Sequence, residues 1–361
     1  MMTIARRLRL LDWKLMGALA VIAVASGVTL ASIAPAFFLR QLVWYGLAFL
    51  AVLVGALIDW RWLAAEWWFR YGIYGVSLAL LFATYLQGAV IRGTRSWLVF
   101  GGFQFEPAEL AKLGVIVLLA HFFARRHLEA WRGANVLFLV LSVGAPVMMI
   151  MFHPDLGSAL MVLAAALGMF LSSGIHLKRF LAAAALGATI LALLWTFALA
   201  PYQKARVTGF LFPERDPLGV NYNVIQAKIA VGSAGWWGKG FGEGTQARLQ
   251  FLPAAHNDFL FAAFVEEWGI AGAAVLLAAF LVLIARILSI GTRANDNFFR
   301  FVAIGTAALF LAQFFVNAGS NVGLLPVTGL TFPFFSYGGS SLLTASALIG
   351  IMQHIHVVSS S

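Results

Sequence analysis

Unbroken apolar runs of about twenty residues decide what this chain can become. The first extends from Leu15 to Ala34. Twenty helical residues rise about 30 Å, the thickness of a bilayer's hydrocarbon core. No water is available there to satisfy backbone N–H and C=O groups, so only helices and closed barrels span it. Barrel strands would alternate apolar and polar residues over segments of about ten. These runs are continuous and longer, so the fold class is an all-α polytopic membrane protein. The composition agrees: the 361 residues are 62% hydrophobic and 11% charged, against about a quarter charged in soluble domains. Cysteine is absent, which excludes a disulfide framework and a thiolate metal site. The first run lacks a small-residue cleavage site and reads as a retained span.

Ten helices are expected, at roughly 14–34, 41–58, 67–87, 107–124, 134–152, 155–173, 179–200, 258–288, 299–319 and 339–357. They form one transmembrane domain over 1–361, with a long polar loop, 201–257, between helices 7 and 8. The fourth carries Glu106, Glu109 and Lys112 at its start. The eighth is long enough to be kinked or to extend past the bilayer.

Charge orients the chain. With the N-terminus cytoplasmic, the inner side holds 14 of the 24 basic residues and five acids, a surplus of +9 against +1 outside. Both termini are then cytoplasmic. The basic balance reflects topology and anionic lipid, and no nucleic-acid partner is expected.

Nine of the 14 acids then fall on the outer side: Glu106, Glu109, Asp155, Glu214, Asp216, Glu243, Asp258, Glu266 and Glu267. Asp258 stands where the long loop re-enters the membrane, and ionisable groups at that depth read as functional. Glu109 and Lys112, three residues apart, share a helix face. Glu109 precedes Arg125 by 16 residues, about 24 Å of helix, so the pair lies inside the membrane. It is consistent with an ion pair joining helices or with a charged cavity for a polar headgroup. Asp155, in His153-Pro-Asp-Leu-Gly157, suits a helix N-cap and equally a cavity wall. The loop brings Lys204, Arg206, Lys239 and Arg248 to the same side. Its glycine-rich part, Gly232 to Thr245, lacks the ending of a P-loop; it reads instead as a folded loop carrying Lys239 to a phosphate. From Asn317 to Ser341, apolar residues alternate with helix breakers, giving either a re-entrant segment or a compact loop.

Taken together these pieces resemble the SEDS family (shape, elongation, division and sporulation) over nearly the whole chain. The resemblance rests on Phe105-Glu-Pro-Ala-Glu-Leu-Ala-Lys112, His153-Pro-Asp-Leu-Gly157, the region Tyr202 to Glu267, and Gly323-Leu-Leu-Pro through Ser336-Tyr-Gly-Gly-Ser340. Asp216 to Gln226 looks more like the RodA branch than the division paralogue. Three positions depart from the family pattern. Glu106-Pro-Ala-Glu109 stands for Gln-Pro-Ser-Glu, Asn257 replaces a Thr, and Ser320 replaces a Met.

The resemblance implies a peptidoglycan glycosyltransferase that polymerises lipid II on the outer face of the cytoplasmic membrane during cell elongation. It implies lipid-linked glycan as donor and a class B penicillin-binding protein as partner. In that reading Asp258 is the catalytic base. Lys112, Lys239, Arg206 and Arg248 neutralise pyrophosphate, and Glu109 and Asp155 position Lys112 or a divalent cation such as Mg²⁺, for which no cage is legible. Two other readings stay open: a lipid II flippase, which would need charges reaching inward, and a non-catalytic scaffold for the wall machinery.

Overall fold

The computed structural model describes residues 4–91, 94–100, 103–126, 133–174, 201–212, 221–253 and 255–359, with single positions at 178, 181, 185, 187, 189, 196, 214, 216, 217 and 219. Among them, eight helices are long and apolar enough to cross a membrane, and Leu156–Ser172 is a shorter apolar helix. The all-α polytopic expectation is met. Nine of the ten expected spans have a counterpart; the other, 179–200, falls largely outside the described residues. The chain forms two compact units, one of residues 1–66, 216–295 and 310–361, the other of 67–215 and 296–309.

The first unit begins with α1 (Ile4–Arg9), α2 (Trp13–Ile33), α3 (Pro35–Leu57) and α4 (Trp60–Ala65). Asp12 caps α2, its carboxylate accepting from the amides of Lys14 and Leu15, donors that a helix start leaves without partners. Ala34 alone separates α2 from α3, and Pro35 opens the new helix at a position where its missing N–H costs nothing. Within the loop lie α10 (Tyr222–Gly232) and α11 (Thr245–Arg248); then come α12 (Leu260–Arg293) and, at the end of the unit, α14 (Gly339–Ser359).

Helices α2 and α12 run antiparallel with a polar tie at each end. At one end Arg286 donates to Asp12, Nε at 2.8 Å and Nη2 at 2.5 Å. At the other, Ser32 donates to the carboxylate of Glu267. Burial works against the Asp12 charge, but the Arg286 and Leu15 hydrogen bonds hold its carboxyl below the ordinary range. Gln353 of α14 brackets the same residue: its Oε1 accepts from the Asp12 amide at 2.8 Å, and its Nε2 donates to the Asp12 carbonyl at 3.3 Å. Helices α3 and α14 approach backbone to backbone at Gly55 and Gly350, where a Cβ on Gly55 would lie 2.8 Å from the Gly350 Cα. Small residues permit such close crossings in membranes, where packing rather than water drives association.

The second unit is built around α6 (Pro107–Arg126), whose most apolar stretch is 83% buried. Around it stand α5 (Trp67–Gln87), α7 (Gly133–Phe152) and α8 (Leu156–Ser172). The unit also contains α9 (Pro201–Leu211) and the first part of α13 (Asn297–Asn321). Phe123 stacks on Phe301 at 5.3 Å and Phe122 on Phe138 at 5.1 Å. Between α5 and α6 lies a three-stranded antiparallel sheet, β1 (Ala89–Ile91), β2 (Thr94–Phe100) and β3 (Phe103–Phe105), in that order. Its register pairs Ala89 with Trp97 and Leu98 with Phe105. The helix pattern gave no warning of this sheet; it delivers the chain to Glu106 and the start of α6.

Candidate active site

Asp258 lies two residues before α12 and is partly exposed. Its backbone carbonyl is held by two side-chain amides. Asn317 and Asn321, one turn apart on α13, both donate from Nδ2 to the Asp258 carbonyl, at 3.0 and 2.9 Å. Asn317 also donates to the Leu330 carbonyl at 2.7 Å, and Asn321 Oδ1 accepts from the Ala262 amide at 3.0 Å. Two buried amides thus tie the Asp258 turn, the first turn of α12 and the segment after α13 into one network. Oδ2 of Asp258 lies beside Gly329, 3.9 Å from where a Cβ would stand. Next to it, His256 stacks on Phe37 at 4.0 Å, and its carbonyl accepts from the Tyr337 amide at 3.1 Å.

The segment 322–338 has no regular helix, yet Phe332, Phe334 and Phe335 are buried in it. Phe332 packs against Phe261, Phe280, Phe314 and Phe335. Tyr45 of α3 donates to the Phe334 carbonyl at 2.7 Å. Irregular backbone enclosed by protein is the form that membrane depth tolerates, so the re-entrant reading describes it better than a compact surface loop.

The glycine-rich loop closes on α12. Glu266 is fully buried and accepts from Lys239 Nζ at 2.6 Å, from the Thr245 amide and hydroxyl at 3.0 Å each, and from the Gln246 amide. Glu267 accepts from the Gly242 amide at 3.2 Å. Backbone bonds run alongside: Lys239 and Gly240 donate to the carbonyls of Glu266 and Glu267, and Ile270 and Ala271 to those of Gly235 and Trp236. The last two bonds are open to the loop because Gly269 breaks the helix, at φ 68° and ψ −170°. Lys239 therefore anchors the loop to α12 in this structure. Arg248 donates to the Gly242 carbonyl and is otherwise turned to the exterior.

In the second unit the acids cluster with Lys112. The Lys112 side chain is 0% exposed and its Nζ donates to Glu109 Oε1 at 2.7 Å. Asp155 caps α8, accepting from the Ser158 amide at 3.0 Å, and Ser158 Oγ donates to Glu106 at 3.2 Å. Glu106 interacts electrostatically with Glu109, Asp155 and Lys112. Burial first, then the two neighbouring carboxylates, push its carboxyl up to about 8, with Lys112 opposing. His153 is buried before this cap with Nδ1 2.7 Å from the Met149 carbonyl, and burial holds its ring below the usual imidazole range. Arg206 lies partly buried on α9, which Gln203 ties to the Pro154 carbonyl at 3.0 Å. Among the described residues no group of three or more His, Asp or Glu side chains is arranged to hold a metal ion, so the carboxylates present do not form a divalent-cation cage.

Glu106, Glu109, Lys112 and Asp155 are thus brought together, as are Lys239 and Arg248 around α12. Asp258 belongs to the first unit and the Lys112 cluster to the second. Sequence reasoning did not give roles to Asn317, Asn321 and Glu266. The signals were an Asn pair at i and i+4, which share a helix face, and adjacent acids inside an apolar helix.

The family model for cell cycle proteins of the FtsW, RodA and SpoVE type matches residues 6–361. The chain belongs to this family, the SEDS family. Peptidoglycan glycosyltransferase MrdB of Escherichia coli (strain K12) is 39% identical over 291 residues, covering 81% of this chain and 78% of that protein. Probable peptidoglycan glycosyltransferase FtsW of Nitrosococcus halophilus (strain Nc4) is 36% identical over 318 residues, covering 86% and 81%. Rod shape determining protein RodA of Thermus thermophilus matches with a TM-score of 0.73 at 30% identity, over 96% of each chain. A chain from a structure on the coordination of polymerization and crosslinking by a peptidoglycan synthase complex matches with a TM-score of 0.83 at 33% identity, over 97% of this chain and 98% of that one. The SEDS fold accordingly extends over the whole membrane portion, and the likeness to MrdB and RodA agrees with the RodA-like loop sequence from Asp216 to Gln226.

Proposed function

We propose that this SEDS protein is a peptidoglycan glycosyltransferase of the elongation type, polymerising lipid II on the outer face of the cytoplasmic membrane. Its relatives' activity supports the reaction class. The observation that carries the residue assignment is a partly exposed carboxylate, Asp258, whose backbone carbonyl is fixed by Asn317 and Asn321 just before α12. The basic surplus supports both termini lying in the cytoplasm, which sets Asp258 and the Lys112 cluster on the outer side.

Asp258 takes the proton of the acceptor sugar hydroxyl, whose oxygen attacks the anomeric carbon of the lipid-linked glycan. The bond to the lipid pyrophosphate breaks in the same displacement. Pyrophosphate is already a good leaving group, so the protein supplies a base and cationic stabilisation. One carboxylate base without a partner nucleophile gives inversion at the anomeric carbon. Lys112 and Arg206 are the candidates for the leaving charge, with Glu109 and Asp155 holding Lys112. Lys239 and Arg248 act from the loop, where Lys239 also keeps the loop on α12. A class B penicillin-binding protein is the proposed partner, which fits the synthase complex to which one solved relative belongs.

Purified protein given lipid II in vesicles tests this reading, with a vesicle flipping assay run on the same preparation. Glycan polymer is expected. Transport of lipid II without polymer would make the protein a flippase, and neither activity would leave a scaffold. The Lys112 role has its own test. Lys112→Ala strands the buried Glu109 carboxylate, which costs about 3–5 kcal/mol, so lost activity in that variant alone means little. The double variant Lys112→Met with Glu109→Gln removes both charges. It is expected to regain most of the thermal stability and still not polymerise. Normal polymerisation by the double variant would remove the pair from the mechanism.

A further inference from the structure

The glycine-rich loop exposes three large aromatic side chains: Trp236 is 71% exposed, Trp237 83% and Phe241 56%. Its depth can be read from α2 and α12. The ties Asp12–Arg286 and Ser32–Glu267 join these antiparallel helices at both ends. The 20 residues from Asp12 to Ser32 rise about 30 Å, the full hydrocarbon thickness, so Glu267 marks one boundary of the membrane. Gly235 and Trp236 are backbone-bonded to Ile270 and Ala271, each at 3.0 Å. Those residues lie three and four positions to the apolar side of Glu267, just past the Gly269 break. Beside them on α12, Trp268 and Ile270 are themselves exposed. Exposed aromatics held at that depth meet the boundary between lipid headgroups and acyl chains, where indole rings are favoured because the ring is apolar and its N–H finds a polar partner.

We infer that Trp236, Trp237 and Phe241 form an interfacial anchor, inserted in the phospholipid boundary beside α12. Lipid holds the outer side of the loop while Glu266 and Glu267 hold its inner side. The anchor is independent of the glycosyltransferase reading, because it needs only the span geometry of α2 and α12.

The test uses the whole chain reconstituted in phosphatidylcholine vesicles, with and without brominated acyl chains. Subtracting the emission of Trp236→Phe or Trp237→Phe from that of the unsubstituted protein isolates one indole, and Phe preserves the apolar contact. The difference emission is expected to be blue-shifted, quenched by brominated lipid and shielded from acrylamide. A water-like emission, quenched by acrylamide and indifferent to bromine, would overturn the proposal. Hydroxyl-radical footprinting of the unsubstituted protein in the same vesicles avoids any folding defect of a variant. Oxidation at 236 and 237 is expected to be several-fold slower than in a free peptide of that sequence, and equal rates would overturn the anchor. Protection that arises only on adding a class B penicillin-binding protein would also overturn it, making this a protein-docking face.

Discussion

Gly269→Ala is expected to unseat the glycine-rich loop and to lower the yield and thermal stability of the protein sharply. Gly269 holds φ 68° and ψ −170°, a region open essentially to glycine alone and costing any other residue about 1–3 kcal/mol. The added methyl has nowhere to go. A Cβ there would run into the Gly238 nitrogen and the Trp236 carbonyl, which are backbone atoms that cannot rotate away. Relieving the clash means breaking the bonds from Ile270 and Ala271 to the loop, and with them the register that brings Lys239 to Glu266. Buried Glu266 would then lose its cation, a further cost of a few kcal/mol. The check is a melting curve of the purified variant in detergent, read beside limited proteolysis of 232–253. A variant that melts with the wild type and keeps the loop resistant would show that the helix break does not hold the loop.

Most spans were legible because an apolar run of span length admits one structure in lipid, and polar or helix-breaking residues mark its ends. Asp12, Pro35, Pro107 and Asp155 stand at or beside helix starts as their chemistry directs. The sheet was not legible by that logic. Its strands are three to seven residues long, and the usable sequence signal was a Gly-Gly pair between the apolar, aromatic-bearing runs 97–100 and 103–105. The break at Gly269 was also hidden, since one glycine inside an apolar helix is tolerated and only the loop that docks there makes it a break. Asp258 was legible as a carboxylate just before a long apolar helix. Its supports were not, because Asn317 and Asn321 act on its carbonyl from 59 and 63 residues away.

Asp258→Asn is the substitution that separates chemistry from architecture. The bonds from Asn317 and Asn321 reach the Asp258 carbonyl and survive a change of side chain, so the variant is expected to fold. Asn keeps the size of the carboxylate and one acceptor oxygen but cannot take up a proton. General-base catalysis contributes about 10²–10⁴-fold, and a loss of that size should appear as absent polymer in an ordinary assay. The decisive measurement is the initial rate of lipid II polymerisation by purified Asp258→Asn beside wild type, in a preparation free of other glycosyltransferases, with lipid II binding and thermal stability measured on the same samples. Unchanged binding and stability are expected, with the rate reduced at least about 100-fold. A rate near that of wild type would contradict the assignment of Asp258 as the base.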